Sequence, residues 1–184
     1  FSTMLAFLDQ GDEVILFEPY YDSYLANCLI AGAHPVCVTL HAPDFRIDAE
    51  ALASAVSPRT RMIVVNNPHN PTGRMFSMEE LKAVADIAIR HDLLVLSDEV
   101  YEFLTFDGRS HIPTATLPGM HDRTITVSST GKTFGMTGWK IGYAIAREEL
   151  TQSIRTVHQF ATFAVNTPGQ HAMAHGLEQL TSYL

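Results

Sequence analysis

Six short runs rich in β-branched and other apolar residues recur along the chain, and most are apolar at consecutive rather than alternate positions. They are Glu13 to Phe17, Pro35 to Leu40, Arg61 to Val65, Leu93 to Ser97, Thr124 to Ser128 and Gly142 to Ala146. A strand apolar on both faces has no wet side, so it needs a covering layer above and below. Helical patterns lie between several of these runs. The clearest is Met78 to Arg90, where Leu81, Val84, Ala85, Ala88 and Ile89 share one face and Ser77 with Glu80 has the spacing of a capping box. Asp48 to Val56, Tyr24 to Ile30 and Arg147 to Phe163, the last carrying Ile154, Val157 and Phe160, read as further helices. The expected fold is α/β: a three-layer, mostly parallel sheet flanked by helices. No internal repeat, low-complexity tract or linker interrupts it.

Composition narrows the partners. With 184 residues, 46% of them hydrophobic, the chain can bury one substantial core, so one globular domain or most of one is expected. The formal charge of -8, without any Lys/Arg run, argues against nucleic acid and anionic membrane and for a small-molecule partner. No apolar run reaches the roughly 18 residues of a membrane span, and no leader pattern opens the sequence. Cys28 and Cys37 are too few for a disulfide framework, and their apolar surroundings suggest buried, reduced thiols of a cytoplasmic protein. Phe1 falls inside an apolar-periodic stretch with Met4, Leu5 and Leu8, and the sequence stops at Leu184 directly after a helical pattern. Both ends are expected to be truncated.

In an open α/β sheet, ligands bind outside the carboxyl ends of the strands. Four strand exits here have unusual chemistry: Glu18-Pro19-Tyr20-Tyr21, Asn66-Asn67-Pro68-His69-Asn70-Pro71-Thr72-Gly73, Asp98-Glu99-Val100-Tyr101 and Ser129-Thr130-Gly131-Lys132. Gathered on one rim, they offer an aromatic face, an amide, a carboxylate, a phenol, a hydroxyl and an amine. That set suits a flat, phosphorylated, electron-poor ring such as pyridoxal phosphate.

Three ordered segments carry a family resemblance: Asn67 to Gly73 (NPHNPTG), Ser97 to Tyr101 (SDEVY) and Ser128 to Tyr143 (SSTGKTFGMTGWKIGY). The chain resembles the fold type I, class I/II aminotransferases that depend on pyridoxal 5'-phosphate, with the methionine and kynurenine/glutamine aminotransferases as the most similar subgroup. The resemblance implies that Lys132 forms the Schiff base with the cofactor aldehyde and then moves the proton of the bound amino acid. It implies that Asp98 pairs with the pyridine nitrogen, and that Tyr101 and Asn70 bond the phenolic oxygen. Tyr21, rather than its neighbour Tyr20, would stack on the ring. Ser129 and Lys140 would contact the phosphate. Many relatives carry arginine at the position of Lys140, so a point charge replaces a bidentate fork, as is frequent in that subgroup.

By the same resemblance these residues are part of a large cofactor-binding domain. The upstream phosphate loop, the small C-terminal domain and the arginine that clamps the substrate carboxylate would lie outside them, and a homodimer would share its active sites. The implied reaction moves an amino group from an L-amino acid, with methionine or an aromatic one suggested by the subgroup, to a 2-oxo acid. Residues 1 to 184 alone are expected to be inactive. Two alternatives use the same site: a C–S β-lyase, and a cofactor-sensing regulatory domain fused to a DNA-binding helix-turn-helix.

Other patterns are weaker. Gly131-Lys132-Thr133 ends like a phosphate-binding P-loop, but the earlier glycine that motif needs would fall at Thr126. The nine histidines show no recognised ligand spacing, so no metal is expected; His171 and His175 share a helix face without an intervening glutamate. Asn70-Pro71-Thr72 has proline where N-glycosylation forbids it.

Overall fold

The computed structural model describes residues 1–183. Helix α1 (Ser2–Phe7) leads into β1 (Glu13–Glu18), followed by α2 (Ser23–Ile30), β2 (His34–Thr39), α3 (Ala49–Ser54) and β3 (Thr60–Asn66). Then come α4 (Met78–Arg90), β4 (Leu94–Asp98), β5 (Thr124–Ser129), the short α5 (Thr130–Thr133) and β6 (Gly142–Ile145). Helices α6 (Glu148–Ala161), α7 (Thr167–Glu178) and α8 (Leu180–Tyr183) complete the order.

The six strands form one sheet in the order β2-β1-β3-β4-β5-β6. All neighbours are parallel except β5 and β6, which are antiparallel. The double-sided burial expected from the sequence is present. Ile15, Phe17, Ile63, Val65 and Val95 point into a core closed by Leu52 of α3 and by Leu81, Val84 and Ala88 of α4. Val14, Leu16, Met62, Val64, Leu96 and Ile125 point the other way, into a core closed by Met4 of α1, Tyr24 and Cys28 of α2, and Leu150 and Ile154 of α6. The side-chain period of two in each strand produces this split.

From β1 the chain moves outward to β2, then returns past β1 to β3 and continues in the opposite direction. Parallel crossovers are right-handed, so reversing the direction moves the connecting helices to the other face. That is why α2 covers one core and α3 and α4 the other. It also opens a crevice at the carboxyl ends of β1 and β3.

The antiparallel β6 is a local feature. It returns from a tight segment that follows β5, and Gly142 pairs with Ser129 so closely that a Cβ there would lie 2.8 Å from the Ser128 carbonyl oxygen. Cys37 corrects one expectation: only Cys28 is buried, whereas Cys37 is exposed. Its strand, β2, is an edge of the sheet, and Val38 alone of its residues is buried. Among the described residues no helix is long and apolar enough to cross a membrane.

Helix α4 begins with the full capping box, Ser77 and Glu80 each accepting from the other's backbone N–H. Glu80 does more than cap. Its buried carboxylate also accepts from Ile47 N–H at 2.9 Å and from Arg74 at 2.6 Å. Ser77→Ala should therefore cost about 1 kcal/mol, and Glu80→Ala about 3 kcal/mol, because it strands a partly buried guanidinium and a buried N–H. Urea unfolding of the two variants measures the difference; equal losses would reduce Glu80 to a cap.

Candidate active site

The four strand exits singled out in the sequence do converge. They line a cavity of about 330 Å³, with Tyr21 and Tyr24 contributed from beyond β1 and Asn66 and Asn70 from the end of β3. Asp98 and Tyr101 come from the end of β4, and Ser128, Ser129 and Lys132 from β5 and α5.

The Asn66–Gly73 segment is held from within. The Asn66 amide donates to the Asp98 carbonyl at 3.0 Å, while its oxygen accepts from Asn70 N–H at 2.7 Å. Asn67 accepts from Phe76 N–H at 2.9 Å, and Gly73 N–H closes back on the His69 carbonyl at 2.7 Å. The turn is thereby tied to the end of β4, which fixes Asn70 relative to Asp98.

Asp98 lies at the end of β4 on the cavity wall. The Tyr24 hydroxyl donates to its Oδ2 at 2.6 Å, and Val100 N–H to its Oδ1 at 3.2 Å. Burial raises its carboxyl above the usual aspartate range, opposed by these two donors. Both partners are neutral. The same environment pushes the Tyr24 phenol well up, first through burial and then through the adjacent carboxylate.

Beyond β5, Ser129 caps the four-residue α5 by accepting from Gly131 N–H at 3.0 Å. A Cβ on Gly131 would lie 3.1 Å from the Thr137 Cα, so the close return of the chain favours glycine here. Lys132 is exposed, and its Nζ stands 5.7 Å from the centroid of the Tyr101 ring.

Behind the rim lies a second polar layer. Glu99 accepts from Ser97 Oγ at 2.8 Å and Thr114 N–H at 3.0 Å, and pairs with His111 Nε2 at 2.8 Å. Glu102 accepts from Ser128 Oγ at 2.8 Å and from the Tyr143 hydroxyl at 3.2 Å. Glu99, Glu102 and His111 are close enough together to resemble a metal-ligand group. Protein donors already occupy these carboxylates, so the cluster reads as a brace between the Tyr101 loop, β5 and β6.

A family model described as aminotransferase class I and II matches residues 1–182. The chain belongs to that family. Among its relatives, kynurenine–oxoglutarate transaminase of Dictyostelium discoideum is 43% identical over 97% of this chain and 45% of its own length. Probable N-succinyldiaminopimelate aminotransferase DapC of Mycobacterium tuberculosis is 47% identical over 96% of this chain and 45% of its own. The solved N-succinyldiaminopimelate aminotransferase of that organism superposes with a TM-score of 0.97 at 44% identity, covering 99% of this chain and 48% of the other. YbdL of Escherichia coli, a structure reported with a methionine aminotransferase function, gives 0.95 at 38% identity, with coverages of 99% and 48%. The chain thus spans about half the length of the relatives it matches.

Of the seven residues expected at the site of this member of the aminotransferase class I and II family, six line the cavity: Tyr21, Asn70, Asp98, Tyr101, Ser129 and Lys132. Lys140 does not. It is exposed, in the left-handed conformation (φ 56°) after a 3-10 turn, Thr137–Trp139. Tyr20 packs against the core on the α2 side, leaving Tyr21 at the opening. Sequence reasoning placed Asn66 in a strand exit and Tyr24 at a helix start but gave neither a role at the site. Asn66 could have been found as an amide ending an otherwise apolar strand. Tyr24 falls three residues after Tyr21, the spacing that puts two side chains on one face of a helix start, and their rings meet edge to face at 5.7 Å.

His69 gives the turn a pH dependence. Burial, reinforced by the charge of Arg74, pulls its imidazole down to about 4, and Nδ1 is 2.8 Å from Thr72 Oγ1. Because the folded value lies below the unfolded one, the folded state binds fewer protons. Stability is complete above about pH 6.5 and is lost as the pH falls toward 4, by about 3 kcal/mol. Chemical denaturation across that range should show the slope, and His69→Gln should flatten it; an unchanged slope would assign it to the carboxylates.

Proposed function

We propose that the protein carrying this chain is a pyridoxal 5'-phosphate-dependent aminotransferase moving an amino group from an L-amino acid to a 2-oxo acid. The observation that carries this reading is the presence, in the lining of one cavity, of an exposed primary amine on Lys132 and of the Asp98 carboxylate, whose bonded partners among the described residues are neutral donors. This donor set fits the cofactor. A ring nitrogen bearing a proton supplies the cation that Asp98 lacks, Tyr21 offers a ring face, and Asn70 and Tyr101 offer donors to a phenolic oxygen. The N-terminus of α5 with Ser129 offers N–H and O–H donors to a phosphate. Lys140 is outside the cavity lining.

When bound, pyridoxal phosphate supplies a conjugated, protonated ring that accepts the electron pair released from the substrate Cα. The chain's own residues hold and steer. Lys132 Nζ would hold the aldehyde carbon and, once an amino acid displaces it, would take the Cα proton and return it two atoms along, across the substrate nitrogen. Asp98 keeps the ring nitrogen protonated, and Tyr101, beneath Nζ, limits the directions from which the amine approaches. Removing Lys132 removes both anchor and base.

The relatives' names support amino acids bearing aromatic, sulfur-containing or long polar side chains. The chain supplies part of the large cofactor-binding domain, with the small domain and the carboxylate-binding arginine contributed by residues outside it. A cytoplasmic homodimer follows the same resemblance.

The test is the absorbance spectrum of the native gene product with pyridoxal phosphate, repeated with Lys132→Ala. A band that needs Lys132, is bleached by methionine or kynurenine and yields the matching 2-oxo acid is expected. Absence of any lysine-dependent band would overturn the cofactor assignment, and bleaching with release of ammonia and pyruvate would replace transamination by β-elimination.

A further inference from the structure

Among the described residues Tyr24 is the one side chain bonded to the Asp98 carboxylate, and neither charge nor core packing alone accounts for its placement. Its ring is 8% exposed and belongs to the core beneath α2, yet its hydroxyl reaches the cavity wall and meets Asp98 Oδ2 at 2.6 Å. A tyrosine whose only task was to fill that core could be phenylalanine. With Val100 N–H on Oδ1, both carboxylate oxygens accept a hydrogen bond, and their remaining lone pairs are available to a donor in the cavity.

The surroundings would otherwise neutralise this carboxylate. Burial disfavours its charge, as does Glu99 next in the chain. Glu99 turns its own carboxylate to Ser97, Thr114 and His111, so it gives Asp98 no hydrogen bond. The other titratable groups facing the pair are Tyr21 from before α2, Tyr101 from beyond β4 and Lys132 from α5. The side-chain hydrogen bond to the carboxylate comes from Tyr24, beside the backbone one from Val100 N–H.

Resting on the cofactor reading above, we propose that Tyr24 is a positioning residue: its hydroxyl holds the Asp98 carboxylate ionised and aimed at the ring nitrogen of the bound cofactor. The edge-to-face contact between Tyr21 and Tyr24 adds a second effect. One helix start then sets both the ring-facing aromatic and the orientation of the carboxylate.

The experiment follows Asp98 directly. In the native gene product without cofactor, the Asp98 side-chain carbon is titrated by NMR with ¹³C-labelled aspartate, the signal being assigned by its loss in Asp98→Asn. Tyr24→Phe keeps the ring and its packing. It is expected to move the Asp98 midpoint upward by about one pH unit, and to weaken pyridoxal phosphate binding about tenfold, as loss of a hydrogen bond to a charged group does. Replacing Tyr24 with 3,5-difluorotyrosine, a stronger donor of the same shape, is expected to move the midpoint downward. Cys28→Ala, which loosens the same helix without touching Asp98, should lower the melting temperature and leave the midpoint in place. A midpoint unmoved by the phenylalanine and fluorinated variants, or moved equally by Cys28→Ala, would overturn the role of Tyr24. If instead the parent protein shows no Lys132-dependent absorbance band, the cofactor reading fails, whatever Tyr24 does to Asp98.

Discussion

The rim chemistry depends on a reversal of winding. Because the chain places β2 on one side of β1 and then crosses to build β3, β4 and β5 on the other, the helices on either side of that change must cover opposite faces. The two cores are the energetic consequence: along the interior strands, residues that point away from one helical layer point into the other. At the strand ends this sandwiching stops, and polar backbone and side chains must find partners among themselves. Asn66 bridging the Asp98 carbonyl and Asn70 N–H is one such solution. Through it, a catalytic candidate on one strand is referenced to a candidate on the next.

Three acids beyond β4 show how local partners assign different tasks to the same chemistry. Glu99 is 1% exposed and surrounded by donors from Ser97, Thr114 and His111, so its charge is spent on holding the loop that follows. Glu102 joins Ser128 on β5 to Tyr143 on β6. Asp98 alone faces the cavity, with two neutral donors and room for a third. A buried carboxylate without a cation is unfavourable, and on the proposed function that unmet demand is what a ligand bringing a proton-bearing nitrogen would satisfy.

Much of this was legible in the sequence. Double-sided apolar runs gave strand positions within a residue or two, because burial on both faces leaves no alternation to misread, and Met78 to Arg90 was bounded correctly because its cap is written in Ser77 and Glu80. Six of the seven site residues follow strand ends whose convergence is a property of parallel sheets. What escaped was set by tertiary contact. Tyr24 looks like the first apolar position of an amphipathic helix, and only the meeting of α2 with the end of β4 turns its hydroxyl toward Asp98. The exposure of Cys37 depends on β2 being an edge, which strand order decides. The orientation of β6 depends on the return through Gly131 and Gly142, where the absence of a side chain matters more than any residue present.

The contrast between Asp98 and Lys132 follows from where each sits on its element. Asp98 is the last residue of an interior strand, flanked by β3 and β5, and cannot leave the wall. Lys132 is carried by a single helical turn between Ser129 and the chain return at Thr137, and its long side chain is exposed. A group that must hold one proton in place benefits from burial and fixed donors. On the proposed function, a group that binds a carbon, releases it and then moves a proton between atoms needs a long stem on a fixed base. The short α5 gives Lys132 that base: Ser129 caps it, the missing Gly131 side chain lets Thr137 pack against it, and the exposed amine stands over the Tyr101 ring.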